Sequence, residues 1–92
     1  MVQEKIIEVE SIVNVIGRGY ILCVRIPVED GFPVILSNLT NLRTKREHKV
    51  CFVEGSMTLM TIPRRKEGLG IGVTYGEEFK AGDKIKLLLK KK

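Results

Sequence analysis

The sequence predicts an all-β chain folded as a small closed or partly open β-barrel of about six to seven strands. Three observations predict it. Apolar residues alternate with period two in several short segments, β-branched residues dominate those segments, and glycine-containing turns separate them. No segment keeps a helical period. A β-sandwich uses the same elements and stays open as an alternative, but closure removes exposed edges from a chain rich in Val and Ile.

The first strand is expected over residues 5–16. There Ile7, Val9, Ser11, Val13 and Val15 share one face, while Glu8, Glu10 and Asn14 share the other. Gly17-Arg18-Gly19 breaks it as a turn or bulge that tolerates positive φ. Tyr20 to Val28 reads as a second strand, closed by Pro27 and the Glu29-Asp30-Gly31 turn, and a short apolar run from Phe32 to Leu36 follows. Residues 37–49 are polar and then densely charged, which predicts a long loop with one helical turn capped by Ser37 or Asn38. Val50 to Glu54 and Met57 to Ile62 read as a hairpin around Gly55-Ser56, with a basic loop over 63–68. Leu69 to Tyr75 and Lys84 to Leu89 are the last strands, joined through Gly76 and the Ala81-Gly82-Asp83 turn. In the final strand Ile85, Leu87 and Leu89 face the core and Lys84, Lys86 and Lys90 face water. One domain over 1–89 with a solvated basic tail over 90–92 is therefore expected.

Hydrophobic residues make up 43% of the 92 residues and charged residues 29%, a globular balance. No apolar run approaches the length of a membrane span, so no membrane partner is expected. Residues 1–5 lack the pattern of a signal peptide, which makes the cytoplasm the expected compartment. High charge with little Gln gives a thermophile-like composition. Cys23 and Cys51 are too few for a disulfide scaffold and sit in apolar runs, so they are expected as two buried thiols; a bridge between neighbouring strands is the alternative.

Two stretches resemble the second domain of translational GTPases, the β-barrel module of elongation factor Tu and its relatives. Val9 to Val24 is similar to the family's strand, Gly-Arg-Gly and second apolar strand, carried here by Ile16-Gly17-Arg18-Gly19 and Tyr20-Ile21-Leu22-Cys23-Val24. Phe79-Lys80-Ala81-Gly82-Asp83-Lys84-Ile85 is similar to its apolar-x-x-Gly-Asp-x-apolar turn, set farther along the chain than in the family. The resemblance implies a translation-type barrel and a link to translation or RNA. It implies no GTPase activity, because the Walker phosphate-binding pattern is absent.

The net charge of +5 favours a polyanionic partner. Two basic clusters are the candidate nucleic-acid-binding residues: Arg43, Lys45, Arg46 and Lys49, then Arg64, Arg65 and Lys66. Long side chains in loops reach phosphates, and a patch formed by both would bind with strong salt dependence. Arg18, at a turn tip between two glycines, is the remaining candidate; solvation and turn structure are the plainer roles for all of these residues. An aromatic fraction of 5% without Trp argues against a broad base-stacking surface.

No cofactor, metal or catalytic residue is expected. Gly68, Gly70 and Gly72 continue as strand rather than opening a helix, so they read as a bare face against which another side chain packs. His48 and Cys51, three apart on a strand, point to opposite faces, and no fourth metal ligand accompanies them and Cys23. His48 has no local triad pattern, and Glu77-Glu78 and Glu29-Asp30 read as solvated turns. The expected function is a non-enzymatic binding module for RNA or a ribonucleoprotein. The alternative is a protein-interaction module or a homodimer. Convergence of the basic clusters on one face favours the first, and their dispersal together with an exposed patch of Leu, Ile or Met the second.

Overall fold

A computed structural model describes residues 2–55 and 66–91. Its strands are β1 (Val2–Val15), β2 (Gly19–Pro27), β3 (Phe32–Pro33), β4 (Asn38–Asn41), β5 (Arg46–Gly55), β6 (Lys66–Val73) and β7 (Lys84–Lys90). They pair antiparallel in the order β1-β2-β6-β5-β4-β7, and β7 pairs back onto β1. Six strands thus close an antiparallel barrel, and short β3 adds to the edge of β7 beside β4. Among the described residues no helix is long and apolar enough to cross a membrane.

Two long strands turn the corners. β1 pairs β7 through Val2–Glu8 and β2 through Val9–Val15, with a register shift between Val9 and Ser11. β5 pairs β4 through Arg46–Lys49 and β6 through Val50–Gly55, with a shift between Val50 and Phe52. Each bulge inserts one residue, which bends the strand and inverts its in-out phase. The expected single face of β1 is corrected accordingly. Ile7 and Val9 point inward, but beyond the bulge Ile12 packs on the core and Val13 is 45% exposed. The second bulge leaves Cys51 exposed while Cys23 is half-buried, so the pair of buried thiols is not found; both are free.

The expected loop over 37–49 is instead the β4–β5 hairpin. Its inward positions are Leu39, Asn41, His48 and Val50, all buried. Two of these four are polar, which hides the alternation from a reading of hydrophobicity. Of the apolar run at 32–36, only Phe32–Pro33 is strand. Val34 to Ser37 then turns, with Leu36 at φ 72. Lys66 to Gly68 belong to β6 rather than to a loop. The expected hairpin turn at Ser56, the strand from Met57 to Ile62 and residues Arg64 and Arg65 lie outside the described residues.

The core joins both sides of the barrel through Val9, Leu22, Ile26, Leu39, Ile71 and Leu87, with Ile85 and Leu89 from β7. Truncating a fully buried Leu such as Leu22 or Leu87 to Ala costs about 2–5 kcal/mol, transfer and cavity together. The glycine face of β6 has the expected purpose. A Cβ on Gly72 would lie 2.3 Å from the Phe52 ring, and one on Gly70 2.9 Å from Ile21 Cγ2. The outer face of β6 is therefore a bed for neighbouring side chains.

Candidate functional site

Strand direction puts three connections at one end of the barrel: residues 16–18, 42–45 and 74–83. The start of β6 and the 28–31 connection lie at the other end. The 42–45 turn is built by Asn41, whose side-chain oxygen accepts from the backbone N–H of Arg43 (2.8 Å) and Thr44 (3.3 Å). Lys45 closes it at φ 66 by donating its N–H to the Asn41 carbonyl at 2.7 Å.

Asp83 anchors this turn to the β6–β7 connection. Its carboxylate accepts from Arg43 Nε (2.8 Å) and Nη2 (3.1 Å), from Asn41 Nδ2 (3.1 Å) and from the Lys80 backbone N–H (2.9 Å). The Arg43 hydrogen bond is the main reason the carboxyl is held down to about 2, against an ordinary 3.8. Arg43 also donates to the Glu78 carbonyl at 2.6 Å. Beside it, Glu78 Oε2 accepts from the Thr44 hydroxyl (2.6 Å) and faces His48 Nε2 (2.8 Å). The Thr44 bond, then the His48 ring, lower the Glu78 carboxyl. His48 Nδ1 donates to the Thr74 carbonyl at 2.7 Å, and the ring lies 4.6 Å from Phe79. The ring thus faces an oxygen at each of its two nitrogens.

A cleft of about 380 Å³ opens on this network, lined by Arg46, Glu47, His48, Tyr75, Glu77 and Glu78. Tyr75 stands at φ 48 and ψ 50, a left-handed conformation costly for a bulky residue, with 79% of its surface exposed. The Arg46 side chain is 76% exposed and lies 3.7 Å from Glu78 Oε1.

The predicted basic residues therefore have separate fates. Arg43 is engaged by Asp83, so it organises the site from within. Lys45 and Arg46 are exposed at the cleft end, and Lys49 is exposed on β5. Arg18 pairs with Glu54 and lies 4.8 Å over the Phe52 ring, on the β2–β6–β5 side of the barrel. Lys66 opens β6 at the end opposite Arg46, and Arg64 and Arg65 lie outside the described residues.

Tyr75 and Glu78 were not among the predicted site residues. Glu78 reads in sequence as a solvated turn acid, and its partners are 30 and 34 residues away. Tyr75 carried one usable signal, an aromatic beside Gly76 at the end of a strand. No protein-family model matches the chain, and no curated protein or solved structure matches it.

Proposed function

We propose that this protein is a non-enzymatic binding module that takes single-stranded RNA at the 42–45 and 74–78 end of the barrel. The observation that carries the reading is Tyr75: an exposed aromatic in a left-handed conformation, on a cleft shared with exposed Arg46. A base stacked on a Tyr ring contributes about 1–3 kcal/mol, and Arg46 with Lys45 supplies phosphate contacts. Glu47 and Glu77 make the cleft a poor site for a bare anion, but carboxylates accept from exocyclic base amino groups. The six-stranded antiparallel barrel also accords with the resemblance to the translation-factor module, and supports a ribonucleoprotein setting.

The test is fluorescence anisotropy with single-stranded and structured RNA at low and physiological salt. Single-stranded RNA should bind more tightly. Tyr75→Gly should weaken binding at least tenfold, roughly 1.4 kcal/mol. Lys45→Ala with Arg46→Ala should flatten the salt dependence by about 0.7 log units for each phosphate that these side chains neutralise. No binding at low salt would overturn the reading and leave a protein partner as the better search.

A further inference from the structure

At the end of the barrel away from Tyr75, β1 and β2 separate. Among the described residues β1 pairs β2 only from Val9 onward, so Val2–Glu8 is paired there on one edge alone, by β7. Arg25, Ile26 and Pro27 of β2 are likewise paired, among the described residues, only to β6. Between the two strands lies a groove of about 420 Å³, walled by Lys5, Ile7 and Glu8 on one side and Arg25 and Pro27 on the other. Two ion pairs span it: Lys5 Nζ to Asp30 at 3.8 Å and Arg25 Nε to Glu10 at 3.1 Å.

The hydrogen-bond phase of β1 shows which backbone groups are open. Val9 donates its N–H to Asp83 O and accepts from Gly82 N, both at 2.8 Å, so Val9 bonds toward the β7 side. On the other edge of β7, Lys84 and Leu88 accept from Leu42 and Val34. Ile85, Leu87 and Leu89 therefore bond toward β1, to Ile7, Lys5 and Gln3. The N–H and C=O groups of Glu4 and Ile6 and the N–H of Glu8 consequently point into the groove, while the Glu8 carbonyl faces Arg25 N–H beside the Val9–Val24 pair. The side chains of Glu4, Ile6 and Glu8 share the outer face, where Ile6 is 58% exposed between two exposed acids.

We propose that this open edge of β1 is a docking rail for an extended segment of a partner protein, which adds to the sheet as a strand. An added antiparallel strand would set its outward side chains directly beside Glu8, Ile6 and Glu4. Charge complementarity selects a basic–apolar–basic alternation at those positions. β7, which already pairs the opposite edge of the same segment, has Lys84 across from Glu8 and Lys86 across from Ile6. β1 is the pairing edge rather than β2, because Pro27 offers no N–H.

The experiment is a 15N-HSQC titration and amide hydrogen exchange on the whole chain. The probe is the peptide acetyl-Thr-Lys-Thr-Val-Thr-Lys-Thr-amide, with a control carrying Glu in place of both Lys. In the free protein, the Gln3, Lys5 and Ile7 amides should exchange slowly and those of Glu4, Ile6 and Glu8 fast. The basic peptide should protect these last three, and the acidic control should bind at least about tenfold more weakly. Ile6→Pro removes a groove-facing N–H without touching the β7 ladder and should abolish the effect. Glu4→Lys with Glu8→Lys, two exposed surface changes, should reverse the preference between the peptides. Uniform protection along β1 in the free protein, equal binding of both peptides, shifts away from β1, or occupation of the edge by a second copy of the chain overturns the proposal. RNA binding at Tyr75 is read by anisotropy at the other end, so either idea can fail alone.

Discussion

The two ends of this barrel solve the same problem in opposite ways. Where β5 leaves β4, Asn41, Asp83, Arg43, Glu78, Thr44 and His48 bond across the gap between the hairpin and the β6–β7 connection. Where β1 leaves β2, two ion pairs are all that spans the gap among the described residues, and none of these pairs with the backbone edge. Several of the first set are buried. Lys5, Arg25 and Glu10 are more than a third exposed, where ion pairs contribute little. The difference teaches that closure of a strand order does not make a barrel uniformly rigid. Rigidity at each corner depends on whether polar side chains replace the missing ladder bonds.

The largest expected break in this comparison comes at Asp83. Asp83→Ala leaves the Asn41 amide, the Lys80 N–H and two Arg43 donors without their acceptor, and should cost about 2–4 kcal/mol in urea unfolding. Asp30→Ala at the other end should change the same midpoint little. If the two variants lose equal stability, the contrast between the ends is wrong.

Acid sharpens the same contrast. The folded Asp83 carboxyl, at about 2, lies below its ordinary 3.8, so its contribution is complete above the ordinary value and is lost as pH falls from about 4 to about 2. Glu78 is lowered too and acts in the same direction. In Asp83→Asn the loss of stability across this interval should be smaller than in the parent, measured by unfolding at each pH. An unchanged acid profile would mean that Asp83 is not held down by Arg43.

A smaller effect of opposite sign is expected at Tyr75. Tyr75→Gly removes a side chain from a left-handed position, where glycine is at ease, and should raise stability by roughly 0.5–1 kcal/mol. The same substitution should weaken RNA binding. A residue that costs stability in the free protein and is needed for the ligand is what a functional strain looks like; loss of stability here would mark Tyr75 as a packing residue.

The sequence made the barrel legible where the pattern was simple. β7 alternates without interruption, and the bare face of β6 announced the close approach of Phe52 and Ile21. It failed at each corner. The bulges after Val9 and Val50 invert the phase midway, and nothing in Glu10 or Cys51 marks them. The β4–β5 hairpin was hidden because Asn41 and His48 occupy inward positions usually held by apolar residues. The site was hidden because the bonds that join its hairpin to the β6–β7 connection link residues 26 to 42 apart, so Arg43 reads as free charge until Asp83 is placed beside it. The placement of the basic clusters was equally hidden, since only the antiparallel course of β5 and β6 shows that Arg46 and Lys66 open strands at opposite ends.

The smallest effect tests the open corner most directly. Lys5→Ala removes one ion pair across the groove, at 3.8 Å and partly solvated, and should change stability by no more than about 0.5 kcal/mol. Exchange of the Glu4, Ile6 and Glu8 amides should remain fast, because the pair satisfies no backbone group there. A loss nearer 2 kcal/mol would mean that Lys5 and Asp30 hold the two strands together, and the corner would then be latched by charge. A near-zero change leaves an edge whose backbone is available because none of the described residues competes for it, which is the condition a strand-adding partner requires.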